Sequence, residues 1–113
     1  MLPLIMEYIL KEFIPLSGES YFKKWFVKQA ANAAAKITAA LYKLEQGNFS
    51  NVKFLASDLW EFKIDSGPGY RIYFTKVDTN IILLLTGGIK RTQKKDIILA
   101  KQLLKEFKST FFH

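Results

Sequence analysis

A glycine-proline-glycine turn stands directly before an arginine in the stretch DSGPGYRIYF, residues 65–74. Pro68 fixes its own φ and Gly69 tolerates a positive φ, so the pair predicts a type II turn that closes a β-hairpin. The next strand would then carry Arg71 from a defined starting point. The turn accounts for the closure of the hairpin, but it does not explain why an arginine follows it so closely.

Alternating polar and apolar residues predict strands over residues 59–65 and 70–75. On both strands the aromatic and aliphatic residues share one face, so the charged residues share the other. If helices cover only the apolar face, the opposite face is an exposed basic surface that presents Glu61, Lys63, Arg71 and Tyr73. The alternative is an ordinary solvated face on which Arg71 pairs with Glu61 or Asp65.

A second group of cations follows the most apolar run of the chain. Residues 81–85, IILLL, are apolar at every position, as expected of a central strand, and we expect Gly87 and Gly88 to end it. A basic surface with a tyrosine among the cations suits RNA. The cations expected to complete the surface are Lys90, Arg91, Lys94 and Lys95 after the central strand, and Lys53 from a short strand over residues 52–55.

Composition limits the chemistry that these residues can perform. The 113 residues contain no cysteine and a single histidine, His113, so zinc sites and Ser-His or Cys-His catalysis are not expected, and we predict no metal ion or cofactor. The length predicts one domain over residues 1–113, and the absence of cysteine favours the cytoplasm. The net charge of +7 favours a polyanionic partner, although it also serves solubility. The apolar opening is short and interrupted by Glu7, so no membrane span is expected.

The order of the predicted elements is β-α-α-β-β-β-β-α. An opening strand lies within residues 4–14, with a helix as the alternative, and Ser20 then caps a short helix. A longer helix follows Asn32 and stops at Gly47, forming an antiparallel hairpin with the first. After the four strands, Thr92 caps a final helix. The fold class is therefore α+β, a mostly antiparallel sheet with helices on one face.

Three stretches together carry a family resemblance: KLEQGNFSNVK, WEFKIDSGPGYRIYF and LLLTGGIKRTQKKDIILAK. They resemble the RelE/ParE superfamily of toxins from type II toxin–antitoxin modules, and within it the HigB-like phage-related group of addiction module killer proteins. The resemblance runs over residues 22–105. It implies a helical hairpin packed on a curved, mostly antiparallel sheet. It also implies one of two activities: metal-independent cleavage of mRNA on the ribosome, or non-enzymatic binding to DNA gyrase.

The resemblance also implies roles for individual residues. Arg71 matches the phosphate-binding arginine, Lys63 matches a basic position on the preceding strand, and Lys90 and Arg91 match the basic pair after the glycines. In the endonuclease branch such cations hold the mRNA backbone and stabilise the phosphorane. Tyr73 is the remaining tyrosine candidate for an acid–base role, with a lysine as the other possibility.

The partners are likewise implied by the resemblance. They are a helix-turn-helix antitoxin encoded by the adjacent gene, mRNA on the ribosome, and operator DNA reached only through the toxin–antitoxin complex. A membrane is not among the expected partners.

Overall fold

The computed structural model describes residues 7–111, in which a five-stranded sheet carries helices against both faces. Residues 1–6, which include the start of the expected opening strand, and residues 112–113, which include His113, lie outside the described residues. The elements are β1 (Ile9–Glu12), α1 (Tyr21–Phe26), α2 (Ala31–Glu45), β2 (Val52–Ala56), β3 (Leu59–Ile64), β4 (Tyr70–Val77), β5 (Ile81–Ile89), a 3-10 turn (Lys90–Thr92) and α3 (Gln93–Phe111).

The strand order in the sheet is β1-β5-β4-β3-β2. Strands β2 to β5 form an antiparallel meander, whereas β1 pairs in parallel with β5, Ile9 lying opposite Ile81. This arrangement confirms the predicted α+β class and element order. It also decides for a strand, rather than a helix, at the opening of the described chain.

The two helices between β1 and β2 follow the predicted pattern, with one shift. The side chain of Ser20 accepts a hydrogen bond from the Lys23 amide at 3.1 Å, as predicted for the cap of α1. The expected start of α2 after Asn32 is wrong, because the helix begins at Ala31 and Asn32 already lies in its first turn. There its side chain accepts a hydrogen bond from the next amide. Gly47, with φ +76°, follows the end of α2 as predicted.

The expectation that all helices lie on one face of the sheet is wrong. Helices α1 and α2 cover the face that carries Phe62, Ile72 and Phe74. Helix α3 covers the opposite face, where Leu85 packs with the predicted stripe of the final helix. The physical reason lies in β5. A strand that is apolar on both faces loses stability unless both faces are removed from water. The stripe consists of Ile97, Ala100, Leu104 and Phe107.

The two glycines do not end the central strand, which continues through both of them to Ile89. They face opposite layers. A Cβ atom at Gly87 would overlap the indole ring of Trp25 on α1, and one at Gly88 would overlap the carboxylate of Asp96 on α3. Each glycine is therefore required by the close approach of a different side chain, and not by a turn.

A β-bulge on β5 sets which glycine faces which layer. Tyr73 on β4 pairs with Thr86, whereas the adjacent Phe74 pairs with Leu84, so Leu85 is an extra residue. Strict alternation counted from the start of β5 would assign Gly87 and Gly88 to the wrong faces.

Candidate functional site

The turn before Arg71 begins one residue earlier than expected. The Gly69 amide donates a hydrogen bond to the Ser66 carbonyl at 3.0 Å, so the hydrogen-bonded turn spans residues 66–69. The type II turn centred on Pro68 and Gly69 is therefore corrected by one residue. Gly67 also takes a positive φ, +55°, which allows the earlier start, and Gly69 has the predicted positive φ of +77°.

Arg71 is buried, and the expected exposed basic face is wrong at its centre. Its side chain is 5% exposed and that of Glu61 is 3% exposed, because α3 covers both. The Arg71 Nε lies 3.7 Å from the Glu61 carboxylate and makes no hydrogen bond. The ion pair with Glu61 is thus the arrangement that the geometry shows, and a direct role for Arg71 on phosphate stays a prediction.

The guanidinium of Arg71 is instead attached to the preceding turn. Its Nη1 donates a hydrogen bond to the Gly69 carbonyl at 3.1 Å. The same carbonyl accepts a hydrogen bond from the Lys90 amide at 2.8 Å. The buried Arg71 side chain therefore stabilises the turn, and the Gly69 carbonyl of that turn also fixes the backbone at Lys90.

Glu61 and Arg71 belong to a buried polar cluster under the start of α3. Gln93 donates a hydrogen bond from Nε2 to the Glu61 carboxylate at 2.8 Å. Directly before Gln93, the hydroxyl of Thr92 accepts a hydrogen bond from the Ile89 amide and can donate to the Asp96 carboxylate or to the Ile89 carbonyl. Thr92 stands directly before α3, where its cap was predicted, but its hydroxyl bonds to Ile89 and Asp96. These hydrogen bonds attach the helix start to the end of β5.

Sequence reasoning missed Gln93 and Asp96. The spacing from Thr92 to Asp96 is four residues, which brings two side chains onto one helix face and was the available signal. The hydrogen bond from Gln93 to Glu61 joins distant parts of the chain, so no local sequence pattern could have predicted it. Much of the run from residue 87 to residue 96 that carries the family resemblance therefore serves to fix α3 on the sheet.

Tyr73 is fully buried within the same layer. Its hydroxyl makes no hydrogen bond of ordinary geometry. Burial raises the pKa of the Tyr73 phenol far above its ordinary value, and the neighbouring Glu61 carboxylate raises that pKa further. The hydroxyl stays neutral and shielded from solvent, so the expected exposed position of this acid–base candidate is wrong.

The remaining predicted cations are exposed. Lys90 and Arg91 line a shallow concavity together with Pro68 and Ile89. We call the cations at the start of α3 the α3 basic rim. Among residues 7–111, its members make no ion pair within 4.0 Å. The rim consists of Lys90, Arg91, Lys94 and Lys95.

The electrostatics of the α3 basic rim are unfavourable for the helix itself. The start of a helix carries a partial positive charge, which favours acidic side chains there. The acidic residue in the first turn is Asp96, which is buried and bound to Thr92. The rim therefore keeps a concentrated positive potential that an anion would neutralise.

The lysines on the sheet lie beside this region. In the strand register Lys53 is opposite Glu61, and Lys63 is opposite Arg71, so both belong to the face that α3 covers. Both are exposed because α3 does not reach them. Lys63 makes an ion pair with Asp65 at 3.4 Å. The structure thus brings the exposed cations to the border of α3 and separates them from the buried Arg71 and Tyr73.

Within the described residues, no group of three or more histidine, cysteine or acidic side chains is placed to hold a metal ion. The same part of the chain has no helix that is long and apolar enough to cross a membrane.

Comparison with known proteins identifies the family of the chain. The family model described as Phage derived protein Gp49-like (DUF891) matches residues 24–105, a span that contains α2, all four meander strands and the α3 basic rim. The chain belongs to this family, which is a family of RelE/HigB-type toxins. An uncharacterized protein of Haemophilus influenzae (strain ATCC 51907 / DSM 11121 / KW20 / Rd) is 41% identical over 86 residues, which cover 75% of this chain and 87% of that protein.

Proposed function

We propose that this protein is the toxin of a type II toxin–antitoxin module and cleaves mRNA on the ribosome without a metal ion. The observation that carries the proposal is the α3 basic rim. Its cations are exposed at the positive end of a helix and have no ion-pair partner among residues 7–111, in a chain of a toxin family. Such a surface binds phosphate groups of RNA. It would also stabilise the extra negative charge of a pentavalent phosphate.

The cleavage step itself needs few groups from the protein. The ribose 2′-oxygen attacks the adjacent phosphorus while the bond from phosphorus to the 5′-oxygen breaks. The proton of the 2′-hydroxyl passes to a base, and the departing 5′-oxygen takes a proton from an acid. Lys90 and Arg91 are the groups that we assign to the phosphate, with Lys63 beside them. Arg71 is assigned as a positioning residue, because it acts through the Gly69 carbonyl that also holds Lys90. A lysine serves as acid or base in this scheme.

A second candidate is a toxin that binds DNA gyrase and performs no chemistry. The burial of Tyr73 favours it, because the tyrosine that could have acted as acid or base is shielded from substrate. Residues 92–108 contain neither tyrosine nor histidine. Both candidates share one expected partner, an antitoxin whose acidic side chains meet the rim. Such complexes associate more slowly as salt rises.

The deciding experiment is induced expression in bacteria, with mapping of mRNA 5′ ends and a parallel measurement of gyrase supercoiling. We expect growth arrest, new 5′ ends within translated mRNA and normal supercoiling. The variant Lys90→Ala/Arg91→Ala should lose most of the new ends, since loss of preorganised charge typically lowers a rate by about 10²–10³. The matched control is Lys101→Ala/Lys105→Ala, which removes two exposed cations further along α3 and should leave cleavage unchanged. Arrest with intact mRNA and lost supercoiling would establish the second candidate instead.

A further inference from the structure

A second concave basic surface lies away from α3, between α2 and the adjacent strands. It is a groove of about 340 Å³ on the α2 side of the β2–β3 hairpin. Its lysines come from two elements, α2 and β3. The lining consists of Lys36, Ala39, Ala40 and Lys43 from α2, Asn51 before β2, and Phe62, Lys63, Ile64 and Asp65 from β3 and its end.

The helix presents its two lysines in a regular way. Lys36 and Lys43 are seven residues apart, so they share one face of α2 and stand about 10 Å apart along its axis. Small Ala39 and Ala40 lie between them and keep the wall of the groove low. The ammonium group of Lys36 donates a hydrogen bond to the Ser66 hydroxyl at 2.6 Å, which holds one end of the groove in place.

The charges of the groove are not balanced. Among the described residues, Lys36 and Lys43 make no ion pair within 4.0 Å. Lys63 pairs with Asp65, but the two side chains are 50% and 77% exposed, and such a pair contributes little. The lining therefore contains three lysines and one acidic residue, and the two lysines of α2 are not paired with a described carboxylate.

We propose that this groove binds the phosphate backbone of an RNA strand and continues the track that begins at the α3 basic rim. The RNA as ligand rests on the proposed function. Lys63 lines the groove and lies opposite Arg71 in the sheet. Arg71 reaches the rim only through the Gly69 carbonyl, which also accepts a hydrogen bond from the Lys90 amide. The lining lacks an exposed aromatic or large aliphatic anchor, which a bound protein segment would need. Amines and an amide beside small alanines suit a sugar-phosphate chain.

RNA binding at several salt concentrations tests the groove. The probes are single-stranded oligouridylates, one long enough to span both regions, of about 24 nucleotides, and one of about six. The variant is Lys36→Ala/Lys43→Ala. Its affinity for the long probe should fall roughly tenfold or more, and the slope of log K against log salt should fall by about 1.4, since each phosphate contact on a single strand contributes about 0.7. Binding of the short probe, which the α3 basic rim can hold, should not change.

The control variant is Lys23→Ala/Lys28→Ala, which removes two exposed lysines of the α1 region. A charge-retaining Lys36→Arg/Lys43→Arg variant should bind the long probe like the wild type, which separates lost charge from lost folding. Equal losses in the α2 and control variants would overturn the proposal. So would unchanged RNA binding combined with weaker capture of an acidic polypeptide, because the groove would then serve a protein.

The groove and the proposed function can fail separately. If the α2 variant loses RNA affinity while the wild-type protein leaves mRNA intact in cells, the groove is upheld and the endonuclease is not. If the wild type cleaves mRNA and the α2 variant binds the long probe normally, the reverse holds.

Discussion

The two faces of the sheet differ in the kind of side chain that they bury. The face under α1 and α2 is filled by aliphatic and aromatic side chains such as Ile37, Leu44 and Phe74. The face under α3 has an apolar half around Leu85 and Leu104 and a polar half under the start of the helix. Among the described residues, every buried polar side chain belongs to the α3 side. These residues are Glu61, Arg71, Thr75, Thr86 and Asp96.

This difference shows which charged side chains stabilise the fold and which are exposed and able to bind a ligand. On the α1–α2 side, charges stay at the edge, in the groove of Lys36 and Lys43. On the α3 side, the same chain buries one set of charges and exposes another within a few residues. Arg71 is fixed inside the fold, whereas Lys90, to which it is linked through Gly69, reaches solvent. Arg71 is therefore buried and can only position the turn and Lys90, whereas the exposed cations can contact a ligand directly.

The largest expected effect is on the buried ion pair. Arg71→Met should lower the free energy of unfolding by about 3–5 kcal/mol, because it leaves the Glu61 carboxylate buried without its partner. Urea denaturation measures the loss. Glu61→Gln/Arg71→Met should be less damaging than the sum of the single variants. The matched control is Lys90→Met, an exposed cation, whose loss should stay within about 0.5 kcal/mol. An Arg71→Met protein as stable as the wild type but inactive in cleavage would break the comparison and make Arg71 a catalytic residue.

The next effect concerns the glycine that faces α1. Gly87→Ala should cost about 1–3 kcal/mol, since the new Cβ overlaps the Trp25 ring and the packed layer must shift. Thermal and urea denaturation of Gly87→Ala, Trp25→Ala and the double variant measure the coupling. The double variant should be less destabilised than the two single losses predict, because removal of the indole also removes the overlap. Strictly additive losses would show that Gly87 is not required by Trp25.

The smallest effect is expected at Tyr73. Tyr73→Phe should change the free energy of unfolding at neutral pH by no more than about 1 kcal/mol, because the hydroxyl that it removes makes no hydrogen bond of ordinary geometry with a described residue. The same variant should retain cleavage, whereas an acid–base role for the hydroxyl requires a large loss of rate.

Alkaline pH sharpens the test of Tyr73. Burial, followed by the Glu61 carboxylate, raises the pKa of the folded phenol above the unfolded value of about 10. The folded state therefore keeps a proton that the unfolded state loses, and the resulting stability is present below pH 10 and lost as the pH rises further. Above that pH the wild type should lose stability relative to Tyr73→Phe by up to about 1.4 kcal/mol per pH unit. If the stabilities of the wild type and Tyr73→Phe, measured by urea denaturation, fell equally as the pH rose above 10, the raised pKa would be contradicted.

The elements themselves could be read from the sequence because their signals are local. The alternation in β3 and β4, the Ser20 cap and the Gly47 stop each depend on residues within one turn or strand. The packing of helices on both faces of the sheet could not be predicted from any one segment, because it depends on the tertiary contact between α3 and β5. The IILLL run did carry a signal, because a strand apolar on both sides is incompatible with helices on one face alone.

The candidate site was predictable in part for the same reason. Lys90 and Arg91 are exposed because they lie in the short connection between β5 and α3, as their position suggested. The burial of Arg71 and Tyr73 follows from the placement of α3, and the bulge at Leu85 has no distinct composition to mark it. A charged residue on an alternating strand looks the same in sequence whether water or a helix lies over it.

The parallel pairing of β1 with β5 has a consequence for folding during synthesis on the ribosome. Ile9 meets Ile81, a partner about 70 residues later in the chain. At synthesis rates of about 5–20 residues per second, β1 has no sheet edge to join for roughly 4–14 s after it is made. Pairings of such long sequence separation also slow folding itself. The last strand of the meander must therefore leave the ribosome before the first strand can take its place, so the five-stranded sheet is completed only after β5 has been synthesised.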